Sequence, residues 1–238
     1  MNGEIPLYIR IRKELLKKIK KITPGFNKLE TEKLLAEHFG TTRATIREAM
    51  NSLIRDGFIT RWQGKGNFGH PSAANLQMRF DITSDFRRLL QDCSGKPAVR
   101  QENIRISVPS PEMLKRMPES AEEGVVVFDW IYTSGGDPVI HCRVEVLRHL
   151  LPELPVPEKG APKLADYLKR HCGVDITNTT TWLRAGRSAE AAAVFGLPYD
   201  VPMLVWDEIF YDLYDRKVCF NTIHFHPEKI DLSMLQNI

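Results

Sequence analysis

The sequence predicts an α+β chain in two parts, a helical N-terminal third that ends in a small hairpin and a C-terminal domain built on an antiparallel sheet. Three observations support this prediction. Apolar residues recur at helical spacing up to residue 56, and the period changes to two at residue 58. After residue 80, strand-like segments joined by glycine or aspartate turns dominate.

The composition is that of an ordinary globular protein, with 42% hydrophobic and 26% charged residues among 238. No apolar run approaches the ~20 residues of a membrane helix, and the N-terminus lacks the apolar stretch of a signal peptide. We therefore expect a cytoplasmic protein that does not contact membranes. The four cysteines form no CxxC pair, which predicts free thiols at Cys93, Cys142, Cys172 and Cys219. We accordingly expect no structural metal and no cofactor.

The first helix is predicted over residues 5–21, where Ile11, Leu15 and Ile19 share one face. Thr23-Pro24-Gly25 ends it, because proline lacks an amide donor and glycine tolerates a left-handed turn.

Two shorter helices follow at close spacing. The first runs from Thr31, as N-cap, to Phe39, with Leu34, Leu35 and Phe39 expected to face inward and Gly40 at its end. The second, residues 43–56, begins after Thr42 as N-cap and ends at Gly57.

The pattern after Gly57 is that of a hairpin. A strand over residues 58–62, a Gln63-Gly64-Lys65-Gly66 turn and a returning strand over residues 67–70 complete the order helix, helix-turn-helix, hairpin. That order is typical of a winged helix, which we assign to residues 1–70.

Residues 71–80 are predicted to be a linker, and residues 81–238 the second domain. Hairpin turns at Gly135-Gly136-Asp137 and at 212–215 indicate antiparallel pairing. The expected strands are 102–108, 125–133, 138–147, 175–185, 201–212 and 217–226, and the expected helices are 84–91, 111–117, 161–172 and 188–195.

The N-terminal part has the charge expected of a surface that meets a polyanion. Residues 1–70 contain 14 Lys and Arg against 7 Asp and Glu, whereas the rest of the chain contains 19 against 23. Arginines and hydroxyls at the start of the third helix suit base edges and phosphates, and glycines let the hairpin approach a groove. We predict DNA contacts at Thr42, Arg43, Thr45, Arg47, Gly64, Lys65 and Gly66.

Residues 6–70 resemble the GntR family of bacterial regulators, through PLYIRIRKELLKKI, TTRATIREAMNSL and RWQGKGNF. The resemblance implies DNA contacts at Lys33, Arg43, Arg47 and the wing glycines. Where the family usually has Pro-Ser-Glu-Arg, this chain has Glu30-Thr31-Glu32-Lys33. Lysine keeps the charge but loses the bidentate fork of arginine, which bears on the operator sequence more than on DNA binding.

Residues from about 80 to 232 resemble the UTRA effector domain of the HutC-type branch, which is similar to the chorismate lyase fold. The segments GGDPVI, LADYLKRHCGVDI and RAGRSAEAAAVFGLPYDVPMLVWDEIFYDLYDRKVCF support this. The resemblance implies a small-molecule effector and a homodimer. Many sugar-phosphate sensors of the branch carry Arg-x-Arg where this chain has Trp130-Ile131-Tyr132, which favours an organic acid or an aromatic ligand instead. Cys219 stands where the branch often has Glu.

Alternation along residues 139–146 places His141, Arg143 and Glu145 on one face. An arginine beside aromatic residues suits a carboxylate, so the predicted effector contacts are Trp130, Tyr132, His141, Arg143, Glu145, Asn221 and His224. Asn221 and His224 face opposite sides of their strand, so at most one of them enters a given pocket. An Arg143–Glu145 surface ion pair is the alternative to a pocket. Arg184 and Trp182 are further candidates. His224-x-His226 lacks a third ligand, so no metal is expected there.

Three functions are compatible with these features. The first is a transcriptional regulator, more often a repressor in this family, controlled by an effector. The second is an enzyme of lyase-like fold acting on a small acid, although adjacent His141 and Cys142 face opposite sides of a strand. The third is a dimeric DNA binder without an effector.

Overall fold

The computed structural model describes residues 5–83, 85–92, 95–157, 160 and 163–236. The chain divides into two compact units. One contains the described residues up to 83 together with residues 232–236, and the other runs from Asp85 to Asp231. Among the described residues, no helix combines the length and the apolar character needed to cross a membrane.

The described residues of the N-terminal unit form four helices and a two-stranded hairpin: α1 (Leu7–Lys20), α2 (Glu32–His38), α3 (Arg43–Arg55), β1 (Ile59–Trp62), β2 (Gly66–Gly69) and α4 (Pro71–Asn75). Its core joins Ile11, Leu15 and Ile19 of α1 to Ile46, Met50 and Leu53 of α3, all at most 2% exposed. The predicted caps are confirmed, because the Thr31 and Thr42 hydroxyls accept from the backbone N–H groups of Leu34 and Thr45. Leu34 itself is 52% exposed, so its predicted inward position was wrong.

The predicted linker is only partly irregular. Residues 71–75 form α4, and Ala73 and Ala74 are buried in the N-terminal core. The side-chain amide of Asn75 donates to the backbone carbonyl of Lys20. The backbones of Arg79 and Ser233 form an isolated parallel β-bridge. The N-terminal unit therefore extends past the predicted boundary at residue 70, because Pro71 is well suited to begin a helix and the two alanines fill space beside α1.

The C-terminal unit is built on one antiparallel sheet in the order β3-β4-β5-β8-β7-β6. The strands are β3 (Pro97–Ser107), β4 (Val125–Ser134), β5 (Asp137–Leu147), β6 (Ile176–Gly186), β7 (Met203–Asp212) and β8 (Lys217–Phe225). The helices are α5 (Phe86–Leu89), α6 (Pro111–Arg116), α7 (Leu164–Cys172) and α8 (Ala189–Phe195), with short 3-10 segments at Leu90–Asp92, Pro118–Glu122 and Arg148–Leu150.

Several predicted bounds differ by one to three residues from the structure, and two elements differ more substantially. The strand expected from residue 102 starts at Pro97, which an edge strand allows at its first position. The helix expected over residues 84–91 is a single α-helical turn, Phe86–Leu89, that continues as a 3-10 segment. Cys142, Cys172 and Cys219 are free thiols as predicted, and Cys93 lies outside the described residues.

Candidate functional sites

The N-terminus of α3 presents the first candidate site. Thr42 caps the helix, and its hydroxyl lies 3.0 Å from that of Thr45. Arg43 and Arg47, four residues apart, are both exposed on the same side of the helix. The positive end of the helix dipole adds to their charge, so this end of α3 can receive phosphate oxygens or base edges.

Glu32 connects two arginines at this surface. One carboxylate oxygen accepts from Arg47 at 2.9 and 3.1 Å, and the other accepts from Arg61 of β1 at 3.1 Å. The sequence prediction missed Arg61 and Glu32. The available signal was that Arg61 faces outward in the hairpin strand, two residues before the glycine turn.

The hairpin turn places Lys65 between Gly64 and Gly66, whose φ angles of 75° and 110° are in the left-handed region that favours glycine. The Lys65 ammonium lies 4.5 Å from the ring centre of Trp62, a side chain that is 57% exposed. Lys33 is exposed on α2, and within the described part of the chain neither Lys33 nor Arg43 takes part in an ion pair. The eight predicted DNA contacts thus belong to α2, α3 and the hairpin of one unit.

The second candidate site is a cavity of about 370 Å³ over one face of the six-stranded sheet. Directly opposite residues of an antiparallel pair share a face, and His141 pairs with His224 while Arg143 pairs with Thr222. All four line the cavity, together with Arg184 and Arg187 and with groups from α6 and α8: Ser110, Glu112, Ser188 and Glu190.

The three cavity arginines differ in their partners. Arg184 makes a two-pronged contact with Asp207, at 2.8 and 3.2 Å, and Arg143 donates to Glu190 at 3.1 Å. Arg187 is exposed and forms no ion pair with any described residue. Arg184 was a secondary candidate in the sequence and Arg187 was missed, although both stand in the Arg184-Ala-Gly-Arg187-Ser188 segment that leaves β6 for α8.

Glu145 is not part of this cavity. Its two carboxylate oxygens accept from the backbone N–H and the hydroxyl of Ser110, at 2.8 and 2.6 Å. Burial raises the pKa of Glu145 despite these bonds. Neither the predicted effector contact nor the alternative Arg143–Glu145 surface pair describes this residue, because Ser110 holds its carboxylate and Arg143 pairs with Glu190.

Trp130, Tyr132 and Asn221 lie on the opposite face of the sheet, so the prediction of an aromatic wall beside Arg143 was wrong. Trp130 is directly opposite Cys142, and its ring meets Tyr167 of α7 edge-on at 5.5 Å. Tyr132 packs against Phe86 at 5.6 Å. Trp130 Nε1 and Asn221 Oδ1 are buried without a hydrogen-bond partner among the described residues.

Glu208 lies on this same face, opposite Asn221 in the register. Burial raises the pKa of Glu208 to about 7, and its Oε1 also has no hydrogen-bond partner in the described structure. This second face is a closed polar cluster within an aromatic core, whereas the cavity face is open to small molecules.

Protonation states within the cavity follow from burial and neighbouring charge. Burial lowers the pKa of His224 to about 4, aided by His141 and Arg184. Burial opposes ionisation of Asp129, but the nearby His141 and the hydrogen bond from Asn103 lower its pKa. His224 is therefore neutral and Asp129 ionised near pH 7. His226 is separate, since its Nδ1 accepts from the backbone of Glu228.

Comparison with known proteins finds a matching family description for each of the two units. Residues 7–68 match "Bacterial regulatory proteins, gntR family", and residues 92–231 match "UTRA domain", which is more than half of the chain. The HTH-type transcriptional regulator YurK of Bacillus subtilis is 30% identical over 124 residues, 50% of each chain. A "Probable fructoselysine utilization operon transcriptional repressor" of Escherichia coli O157:H7 is 38% identical over 100 residues, 41% of each.

The chain spans about half the length of these curated relatives. Among solved structures, possible transcriptional regulator YydK of Bacillus subtilis superposes with a TM-score of 0.73 at 18% identity, over 98% of this chain and 100% of the other. At that identity the likeness concerns the fold.

Proposed function

Because the chain belongs to the bacterial regulatory proteins of the gntR family that carry a UTRA domain, we propose that it represses transcription by binding a DNA operator as a homodimer in the cytoplasm. Its operator affinity is controlled by a small anionic effector held in the cavity of the C-terminal unit. The observation that carries the DNA-binding part is the group of exposed cations around the capped N-terminus of α3.

The N-terminal unit offers the chemistry that duplex DNA requires. Arg43 has no competing ion pair in the described structure, and Arg47 and Arg61 share Glu32. A phosphate that approaches these arginines replaces Glu32 as their partner, so the bound form gains charge-assisted contacts. Hydroxyls of Thr42 and Thr45 donate to phosphates that flank the bases contacted by α3.

The cavity supports an organic anion as the effector. Its volume of about 370 Å³ suits a small metabolite. Arg187 offers an unpaired guanidinium to a carboxylate, while the serine and threonine hydroxyls provide orienting hydrogen bonds. His224, neutral near pH 7, can accept or donate a hydrogen bond. A ligand-controlled regulator needs only to bind the effector in this cavity and does not need to convert it chemically.

The proposal is tested by fluorescence anisotropy with duplexes selected from a random pool by the full chain. We expect specific binding that weakens steeply with salt. A panel of mono- and dicarboxylic acids should contain members that shift the operator affinity. Analytical ultracentrifugation should give a dimer. A strict monomer that ignores duplex DNA at low ionic strength would refute the proposal, and DNA binding unaffected by every acid would leave the operator function without the effector.

A further inference from the structure

His141, which lines the cavity, and its buried neighbour Asp129 have few hydrogen-bond partners for groups at this depth. His141 is 1% exposed, and neither of its ring nitrogens has a hydrogen-bond partner among the described residues. Asp129, also 1% exposed, has an unpartnered Oδ1 that lies 3.5 Å from His141 Nε2. Unsatisfied buried donors and acceptors are costly, so a water or an ion that contacts several of them at one point is stabilising.

Glu190 brings a third ligand to the same point. Ligand atoms of Asp129, His141 and Glu190 all lie within 4.8 Å of one another. Two donors bound to one first-row metal ion are separated by at most about 4.2 Å, given bond lengths near 2.1 Å. Of the three side chains, Glu190 is the one with room to move toward an ion, because it is 40% exposed whereas His141 and Asp129 are 1% exposed.

The surroundings hold these ligands in place. Asn103 donates to Asp129 Oδ2 at 2.7 Å, which fixes the carboxylate and leaves Oδ1 directed at His141. Such outer contacts orient metal-binding carboxylates in known sites. The His224 ring stacks on that of His141 with ring centres 5.9 Å apart, and its Nδ1 is also unpartnered in the described structure.

We propose that Asp129, His141 and Glu190 form a binding site for a divalent transition-metal ion beside the cavity. One imidazole nitrogen and two carboxylates suit Zn²⁺ or Mn²⁺. This site departs from the sequence-based expectation, which weighed the cysteines and His224-x-His226 as metal ligands and expected no metal.

Metal binding also changes the state of Arg143. In the metal-free structure Arg143 donates to Glu190. Once Glu190 binds the ion, Arg143 loses this partner and faces the cavity together with the new positive charge. This consequence rests on the proposed effector function, since it predicts tighter binding of an anion to the metal-loaded protein.

The experiment uses the full chain without an affinity tag, stripped with EDTA and dialysed. Isothermal titration calorimetry and thermal melting with Zn²⁺ and with Mn²⁺ should show one site per chain and a raised Tm for at least one ion. Glu190→Gln should weaken binding at least tenfold, and it leaves the buried core untouched. His141→Ala should abolish binding, with circular dichroism as a check of folding.

A matched control separates this site from surface histidines. His149 is exposed and lies beside Glu123. His149→Ala should leave metal affinity unchanged, whereas Arg143→Gln should increase it severalfold because Glu190 is no longer paired. The proposal is overturned if neither ion binds, if His149→Ala weakens binding as much as Glu190→Gln, or if Arg143→Gln weakens it. None of these results depends on operator binding, so failure here and failure of the proposed function are distinguishable.

Discussion

At the scale of single residues, Glu32 determines how much of the cationic surface is available to DNA. It neutralises part of the charge of Arg47 and Arg61 in the free protein. Glu32→Gln should therefore increase affinity for non-specific duplex at low salt and steepen the dependence of log K on log salt, because both arginines are released for phosphates. Anisotropy titrations at several salt concentrations measure this, with Glu37→Gln, an exposed change on the same helix, as the control. Weaker binding would show that Glu32 positions the arginines for contact.

Arg43 and Arg47 should differ in whether their contribution to operator affinity depends on Glu32. If each reads a base, Arg43→Ala and Arg47→Ala cost about 1–3 kcal/mol of operator affinity. If the ion pair with Glu32 positions Arg47 for contact with DNA, Arg47→Ala should cost less operator affinity in a Glu32→Gln background than in the parent chain. A double-mutant cycle measures this difference. Operator affinity unchanged in both single variants would contradict the assignment of α3 as the reading helix.

Glu208 gives a pH dependence of stability whose sign follows from burial. The pKa of Glu208 in the folded protein is about 7, against an ordinary value of 4.5. The folded state binds this proton more tightly than the unfolded state, so the contribution to stability is complete below pH 4.5 and is lost as pH rises through 7. Glu208→Gln should flatten the pH dependence of the free energy of unfolding between pH 5 and 8. The change should be at most on the order of 3 kcal/mol. Urea unfolding at each pH measures this, and Glu102→Gln on the surface should change nothing.

At the scale of elements, α4 and the segment behind it belong to the N-terminal unit. Arg79, 6% exposed, donates to the carbonyl of Asp56, pairs with Asp81 and lies over the Phe58 ring at 5.0 Å. Arg79→Ala removes a buried guanidinium together with its hydrogen bonds to Asp56 and Asp81, so the free energy of unfolding should fall by about 1–3 kcal/mol. Arg100→Ala, which removes an exposed pair with Glu102, should cost less than about 1 kcal/mol. Equal losses in urea melts would show that residues 76–83 do not stabilise the unit.

The hairpin of β4 and β5 shows why the helices were predictable and the cavity was not. Helix bounds follow from local periodicity, and α1 to α3 are within a few residues of the prediction. Sheet faces depend on register. Ser134 pairs with Asp137, and continuing that register would place Trp130 opposite His141. A bulge between Tyr132 and Thr133 shifts the pairing by one residue, so that Trp130 meets Cys142 instead. One added residue thus moves the aromatic side chains to the other face.

The same limit applies to residues brought together from distant strands. Arg184 and Arg187 reach the cavity because β6 lies beside β7 in the sheet order, and no local pattern specifies that order. His141, Arg143 and His224 were predictable as polar positions in otherwise apolar strands. Their shared cavity required the pairing of β5 with β8.

At the scale of the whole molecule, effector and operator must influence each other equally. If the effector changes operator affinity by some factor, saturation with operator must change effector affinity by the same factor. Arg187→Ala removes a cavity cation that forms no ion pair among the described residues, so it should abolish the effector response while ligand-free operator affinity stays at the level of the parent chain. Calorimetric titration of the effector with and without operator, beside anisotropy with and without effector, measures both factors. An Arg187→Ala protein that still responds fully would mean that the controlling ligand binds elsewhere, and the buried polar cluster around Glu208 and Asn221 would be the next place to test.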